Sequence, residues 1–166
     1  MRVSKKGEYA LRAMIHLSRN YEKGVVRIRE ISKKERIPEK FLEQILLSLR
    51  KAGLLQSRRG LGGGYALSRH PREITLARVI RVIDGPLAPL GCTSTWAHVS
   101  CPEEKSCGLR RVMLEVRNAI AGILEGVTFA DLGGGGNRAR GKKPTPRAKV
   151  KRIERGGKGY VCRKSC

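Results

Sequence analysis

Apolar side chains recur every three or four positions through the first half of the chain, which is the spacing of one face of an α-helix. The pattern predicts a helix across residues 4–20, whose buried face is formed by Ala10, Ala13, Met14 and Leu17. A short helical segment is expected at residues 28–35, with Ile28 and Ile31 on the same side.

A strong helical pattern follows Pro38, a residue that suits the first position of a helix. It runs to Gly53, which is a natural C-terminal stop. A fourth helix is predicted after Thr75, whose hydroxyl can cap it. The buried stripes are expected to be Phe41, Leu42, Ile45, Leu46 and Leu49 in the third helix and Leu76, Val79, Ile80 and Ile83 in the fourth.

Two short strands, LLQS and GYAL, are predicted between these helices, joined by the glycine-rich turn RRGLGGG. Three helices followed by a hairpin is the order of a winged helix-turn-helix domain, which we place at residues 1–85. We therefore predict a mainly α fold with a small β-hairpin, followed by a long dimerisation helix.

The front of the third helix is polar and can lie in the major groove of DNA, which is wide enough to admit a helix. Arg58 and Arg59 begin the wing, where they can reach phosphates or the neighbouring minor groove. Gly62 and Gly63 let the turn pass close to the sugar-phosphate backbone. The helix alone would equally suit a protein core, but the basic wing and the net charge favour DNA. The polar front consists of Glu39, Lys40, Glu43 and Gln44.

Apolar residues step by three and four without interruption from Leu109 to Leu124, which predicts a long helix within a segment 109–132. Because a complete DNA-binding domain precedes it, this helix has little core left to cover. We expect its apolar face to pack against a second copy of the chain, giving a homodimer that fits a palindromic site. The alternative is a helix that folds back on its own domain. The predicted interface residues are Leu109, Val112, Met113, Val116, Ile120 and Ile123.

The formal net charge is +22, and much of it lies at the C-terminal end. Residues 133–166 hold twelve of the 36 Lys and Arg residues but only one of the 14 acidic residues, Glu154. This segment opens with GGGG and has few apolar residues, so we expect a disordered basic tail. A basic body with a basic arm indicates a polyanionic partner such as nucleic acid.

Several classes of protein are disfavoured by the sequence. No stretch approaches the ~18 consecutive apolar residues of a membrane span, and the N-terminus lacks the apolar segment of an export signal. We therefore expect a cytoplasmic protein without a membrane partner, whose five cysteines are reduced thiols or metal ligands. No nucleophile–base pair with a substrate pocket is visible, so we expect no enzymatic activity.

The sequence resembles the Rrf2 family of bacterial transcription regulators over residues 1–132, in particular its IscR-like and NsrR-like members. The resemblance rests on MRVSKKGEYALRAM, on FLEQILLSLRKAGLLQSRRGLGGGYALS, and on a three-cysteine loop followed by a long helix. It implies a winged-helix homodimer on double-stranded promoter DNA, with the long helix crossing between subunits. It also implies that Glu43 takes part in base discrimination, which fits a carboxylate that can accept from a cytosine amino group.

Residues 86–108 contain Cys92, Cys101 and Cys107, separated by eight and five residues. The resemblance implies that these cysteines ligate an iron–sulfur cluster, either 2Fe–2S or 4Fe–4S. Thiolates are soft ligands that suit such clusters, and the N-terminus of the following helix would favour a thiolate at Cys107. The first gap is longer than in the family loops that this segment resembles.

Three cysteines leave one ligand position open. Family members with a histidine ligand carry it where this chain has Arg110, which cannot ligate. The resemblance offers Glu8 from the other subunit, and His98 is the local candidate. Zinc on three cysteines and a histidine, or a thiol switch through a disulfide, are competing interpretations, although the spacing fits neither a zinc finger nor a zinc ribbon. Cys162 and Cys166 lie in the tail and are expected to be free thiols.

The residues and the resemblance together predict a DNA-binding transcriptional regulator, expected to be a repressor. Its promoter binding would depend on a cluster that reports redox state, nitric oxide or iron–sulfur status. Two other classes stay open at this point: a cluster-free family regulator that responds to a metabolite or a partner protein, and a basic RNA-associated protein.

Overall fold

The computed structural model describes residues 3–60 and 62–133. Six α-helices and one two-stranded antiparallel hairpin make up this part of the chain, with three short 3₁₀ turns between them. The predicted mainly α fold with a small hairpin is confirmed. The proposed tail lies outside the described residues, apart from Gly133. The helices are α1 Lys5–Arg19, α2 Ile28–Glu35, α3 Glu39–Lys51, α4 Leu76–Asp84, α5 Gly108–Glu125 and α6 Phe129–Gly133, and the strands are β1 Leu55–Arg58 and β2 Gly64–Leu67.

One hydrophobic core joins α1, α2, α3, α4, the hairpin and α6. The apolar face predicted for α1 is buried, and Ala10, Ala13 and Met14 have no exposed surface. Four of the five predicted stripe residues of α3 are also buried. These four are Leu42, Ile45, Leu46 and Leu49. Phe129 of α6, which comes much later in the sequence, is fully buried in the same core.

Two details of α3 differ from the prediction. Phe41 is 42% exposed instead of buried, because it lies on the flank of the stripe, where its ring meets the edge of the Tyr9 ring. Pro38 is not the first helical residue but the N-cap, with an extended ψ of 131°. Its carbonyl accepts the first helical hydrogen bond, from the N–H of Leu42 at 2.9 Å. Gly53 does follow the helix, with a left-handed φ of 71° that glycine adopts without strain.

The turn between α2 and α3 sets the angle of a helix-turn-helix pair. Arg36 ends α2 in the left-handed conformation, with φ of 52°. The backbone of the next residue is then fixed from both sides: the N–H of Ile37 donates to the Ser32 carbonyl, and the Ser32 hydroxyl donates to the Ile37 carbonyl at 2.6 Å. Since Ile37 is only 2% exposed, the core anchors the turn and therefore the start of α3.

The hairpin has one contact that no sequence pattern indicated. Strand β2 pairs with β1 in the register Leu55 opposite Leu67, and on its other side Tyr65 exchanges two backbone hydrogen bonds with Val26, at 2.8 and 2.9 Å. A side chain at Gly64 would collide with the Val26 carbonyl. The glycine therefore permits the close approach that fixes the wing to the segment before α2.

Helix α4 starts at the predicted cap, because the Thr75 hydroxyl accepts a hydrogen bond from the N–H of Arg78 at 3.3 Å. A second, smaller hydrophobic cluster lies on its outer face, formed by Ala77, Ile80 and Leu87. Part of α5 packs on this cluster, and α6 then returns to the main core. Among the described residues, no helix is long and apolar enough to cross a membrane.

Candidate functional site

The polar front of α3 faces solvent, as the sequence predicted. Residues 39, 40, 43 and 44 lie within about 140° of arc on the helix, opposite the buried stripe, and all four side chains are exposed. Glu39 pairs with Arg29 at 3.7 Å. Within residues 3–60 and 62–133, the side chains of Glu43 and Gln44 have no hydrogen-bond or ion-pair partner. These two polar groups are therefore free to contact the edges of bases.

The wing presents its basic residues beside this front. Arg58 ends β1 opposite Gly64, and Arg59 follows in the turn, with both side chains exposed. Arg50 of α3 donates to the Ser57 hydroxyl at 3.1 Å, which ties the wing to the exposed end of α3.

The two turn glycines differ in role. Gly62 is exposed, and a side chain there would meet nothing within 4 Å, so its backbone is open to a close approach. At Gly63 a side chain would press on the carbonyls of Arg58 and Gly60, and the Gly63 N–H donates to the Gly60 carbonyl at 2.8 Å. Gly63 is thus needed for the tightness of the turn itself.

One basic residue of this surface was missed from the sequence. Arg29 of α2 has a side chain that is 88% exposed, and its pairing with Glu39 brings a cation to the N-terminal end of α3. Phosphate contacts from such a position orient a protein on the duplex without reading its sequence. No periodicity marks Arg29, and only the excess of basic residues in the segment before Pro38 could have indicated it.

The three cysteines of the loop are free and half-buried. Cys92 lies in the 3₁₀ turn Gly91–Thr93, and Cys101 lies in the loop that follows. Cys107 is the N-cap of α5, and its Sγ accepts a hydrogen bond from the N–H of Arg110 at 3.5 Å. Helix N-termini favour negative charge, so this position suits a thiolate.

Arg110 holds the loop together. Its Nε donates to the Cys92 carbonyl at 3.3 Å, and its Nη2 lies 2.6 Å from the Glu104 carboxylate. The other oxygen of Glu104 is 3.2 Å from Nε2 of His98. A chain of contacts thus runs from the start of α5 through Glu104 to His98, across the span that contains the cysteines.

The structure does not assemble these side chains into a metal site. Within the described ranges no group of three or more His, Cys, Asp or Glu residues is placed to hold an ion. The donor type fits an iron–sulfur cluster, since three free thiols lie on one loop, but the thiols would have to converge. Glu8 lies on the first turn of α1, where the hydrogen bond from Lys5 holds the pKa of its carboxyl below the ordinary value, and Arg12 is 3.7 Å away.

The apolar face of α5 divides into two parts. One flank folds back on the second cluster through Ile120, Ala121 and Leu124. The rest stays open to solvent, where Leu109 is 53% exposed and Ile123 is 63% exposed. Of the predicted interface residues, Met113 and Ile120 are half-buried, while Leu109, Val112, Val116 and Ile123 are exposed.

The helix-turn-helix pair, the hairpin behind it and the polar front of α3 define the class as a winged helix-turn-helix DNA-binding protein. The chain belongs to the Rrf2 family, described as "Iron-dependent Transcriptional regulator", which matches residues 3–134. It is accordingly a transcriptional regulator of a family that binds DNA.

Three comparisons support this assignment. An rrf2-like HTH-type regulator of Rhodobacter capsulatus is 38% identical over 143 residues, which cover 82% of this chain and 95% of that protein. The structure of CymR, the global cysteine regulator of Bacillus subtilis, is 33% identical with a TM-score of 0.69, covering 80% of this chain and 96% of CymR. The structure of IscR from T. potens is also 33% identical, with a TM-score of 0.61, covering 80% of this chain and 85% of IscR.

Proposed function

We propose that this regulator binds promoter DNA as a homodimer and that an iron–sulfur cluster on Cys92, Cys101 and Cys107 controls the binding. The observation that carries the proposal is the position of three free, half-buried thiols on the segment between α4 and α5. That segment connects the DNA-reading domain with the helix that has an uncovered apolar face. The description of the family as iron-dependent supports the same conclusion.

The dimer would form through the exposed stripe of α5. A stripe of large aliphatic side chains left open to water along one helix face favours contact with a second copy. In a symmetric dimer the two α3 helices then address two half-sites, about 34 Å apart for one turn of DNA. The distance between the two α3 helices of the dimer therefore depends on how each DNA-binding domain is oriented relative to its own α5.

Contacts within one copy of the chain link the cysteine loop to the position of α5 against the DNA-binding domain. When bound, an iron–sulfur cluster supplies a redox-sensitive link among the thiolates that hold it. Arg110 joins the Cys92 carbonyl to the first turn of α5, and Ile120 and Leu124 press α5 onto the outer face of α4. A change in the separation of Cys92 and Cys107 would therefore act on the packing of α5 against the DNA-binding domain. A coupling of ~1–3 kcal/mol is enough to change promoter occupancy.

The test is purification of the full chain without oxygen, followed by its visible spectrum and by iron and sulfide counts. We expect a coloured protein that loses iron and colour on Cys101→Ser. Cys162→Ser is the matched control, because it removes a thiol outside the loop and should leave both unchanged. A colourless, iron-free wild-type protein that binds its promoter normally would rule out the cluster.

For the fourth ligand we favour Glu8 of the second copy over His98. Among the described residues, Nε2 of His98 already faces Glu104 of its own loop at 3.2 Å, whereas the Glu8 carboxylate contacts only Lys5 and Arg12, on its own exposed helix face. Glu8→Gln should alter the visible spectrum while most of the iron is retained, and His98→Gln should leave the spectrum unchanged. The reverse pattern would assign the position to His98.

A cluster-free regulator is the second candidate, and one observation favours it: the ligand group is not assembled in the described part of the chain. The same preparation separates the two candidates. A protein without iron or sulfide whose promoter binding changes with a metabolite or a partner protein would establish the second candidate.

A further inference from the structure

We propose that the cavity between α4, residues 86–96 and α5 is a binding site for a small organic anion, a carboxylate or a phosphate ester with a short apolar body. The cavity measures about 280 Å³, just below the range for drug-sized ligands, so it suits a small ligand. The site is separate from the proposed cluster and does not require it. Its lining includes Arg81, Leu87, Trp96, Arg117, Asn118 and Glu125.

The anion is indicated by Arg117. Its Nε is inaccessible to solvent and has no hydrogen-bond partner among residues 3–60 and 62–133. A buried donor left without a partner costs about 1–3 kcal/mol, and such groups in native proteins call for a missing partner. A guanidinium binds carboxylates and phosphates through its N–H groups. Because Arg117 lines the cavity, an oxyanion there would give its guanidinium the anionic partner that it lacks among the described residues.

The charge balance of the lining also favours one negative charge. Arg81 of α4 forms a close ion pair with Glu125 near the end of α5, so these two side chains neutralise each other across the cavity. Among the described residues that line the cavity, Arg117 then remains the cation without a carboxylate partner. A neutral ligand would leave its charge unbalanced in a partly enclosed space, where opposite charges interact more strongly than in bulk water.

The apolar body is indicated by Leu87 and Trp96. Leu87 belongs to the second hydrophobic cluster and is 4% exposed. Trp96 also lines the cavity but is 62% exposed. The buried Ser94 accepts hydrogen bonds from the N–H groups of Trp96 and Ala97, at 3.3 and 2.9 Å, which fixes the turn that carries the indole. A large aromatic ring held at the mouth of a cavity is available to cover an apolar ligand.

The cavity lies on a different side of α5 from the proposed dimer surface. At about 100° per residue, Arg117, Asn118 and Ala121 lie roughly half a turn around the helix from the exposed stripe that includes Val116 and Ile123. A partner copy seated on the stripe would leave the cavity open. Because Arg81 of α4 and Arg117 of α5 both line the cavity, a bound anion would act on the packing between the DNA-binding domain and the dimerisation helix.

The test uses the full-length protein and the fluorescence of Trp96, which is the only tryptophan of the chain. Butyrate and methyl phosphate are the two anionic probes, and butyramide is the neutral analogue of butyrate. We expect a saturable change in fluorescence with at least one anion at millimolar concentrations and none with butyramide. Saturation by butyrate alone would identify a carboxylate site, and saturation by methyl phosphate alone a phosphate-ester site.

Two variants assign the effect to the arginine. Arg117→Met should weaken binding of the active probe at least about tenfold, which corresponds to 1.4 kcal/mol. Arg111→Met removes the same charge from an exposed position of the same helix and should titrate like the wild type. If Arg117→Met does not fold, the Nε–H resonance of Arg117 in the wild-type protein should shift with the anion. The proposal is wrong if neither anion saturates, if butyramide acts equally, if Arg117→Met binds normally, or if that resonance stays in place.

Discussion

Residues 3–85, which we propose as the DNA-binding domain, and helix α5 have the same apolar spacing but bury it to very different extents. In the domain, side chains such as Met14 and Leu46 have no exposed surface. In α5 no residue is fully buried, and Ile123 is 63% exposed. Both sequences repeat apolar residues every three or four positions, so the period alone does not decide burial. What differs is how many other described elements pack against each apolar face.

This difference separates a part that is complete in one copy from a part that is not. The domain has its core, its turn and its wing connected by contacts within a single chain. Among the residues that the structure describes, the region from residue 86 to α5 has an open apolar stripe, three free thiols and a buried donor of Arg117 without a partner. Each of these features calls for something that the described residues do not supply, namely a second copy, a cluster and an anion in our proposals.

The largest effect is expected where the chain returns from α5 to the domain core. Phe129→Ala should lower the free energy of unfolding by about 4 kcal/mol, because a fully buried phenylalanine leaves a cavity. Phe41→Ala is the matched control, since it is the only other phenylalanine and is 42% exposed; we expect about 1 kcal/mol. Urea unfolding of both variants at one protein concentration measures the two losses. Equal losses would show that α6 is not part of the core.

The next effect concerns the uncovered stripe. Ile123→Glu should raise the dissociation constant of the dimer about 100-fold or more, because an unpaired carboxylate buried between apolar faces costs several kcal/mol. Arg111→Glu, at an exposed position away from the stripe, is the control and should leave the dimer intact. Sedimentation equilibrium gives both constants, and circular dichroism checks that the helices persist. A wild-type protein that is monomeric throughout would contradict the proposed interface.

Within the domain, the polar front and the wing should affect DNA binding in different ways. Glu43→Ala should reduce discrimination between the operator and a base-substituted operator about tenfold while leaving the salt dependence unchanged. Arg59→Ala should weaken binding to both sequences alike and reduce the salt slope by about 1. Fluorescence anisotropy over a range of salt concentrations measures both quantities. An equal loss on both operators for Glu43→Ala would show that this residue does not read bases.

The sequence was sufficient for the features that depend on neighbours along the chain. The bounds of α1 and α5, the Thr75 cap and the glycine stop at Gly53 all follow from local periodicity or from one residue's own conformational preference. The exposed side chains at the front of α3 followed from the same periodicity. The family and its fold were also predicted from motifs, and the comparisons confirmed them.

The remaining features depend on contacts between distant segments. The bridge from Val26 to Tyr65 involves a single residue and leaves no period to detect. Phe41 has the spacing of a buried residue, but it lies on the flank of the stripe, where its ring contacts Tyr9 of another helix and stays 42% exposed. The contacts of Arg110 with Cys92 and Glu104, like the cavity at Arg117, appear only after the loop has been placed against α5.

The smallest predicted effect lies at the junction of the two regions, at the start of α6. The Asp131 carboxylate accepts hydrogen bonds from the hydroxyl and the N–H of Thr128, at 2.6 and 2.8 Å, and the bond from the N–H is one half of a capping box. The hydroxyl contributes most to lowering the pKa of Asp131 below its ordinary value, and the backbone N–H adds to it. Asp131→Asn should cost only about 0.5 kcal/mol, because solvent screens this exposed group.

The pH dependence of the unfolding free energy shows whether the negative charge of Asp131 contributes to this cap. Since the folded-state pKa of Asp131 is lowered, its stabilisation is fully present above the ordinary pKa of an aspartate and is lost as the pH falls through the folded value. The difference in unfolding free energy between wild type and Asp131→Asn should therefore shrink as the solution is acidified. Glu115→Gln, at an exposed position of α5, is the control and should show no such trend. A difference that stays constant into acid would mean that the protonated carboxyl of Asp131 holds Thr128 as well as the carboxylate does. In that case the charge of Asp131 would contribute nothing to the stability of the connection between α5 and α6.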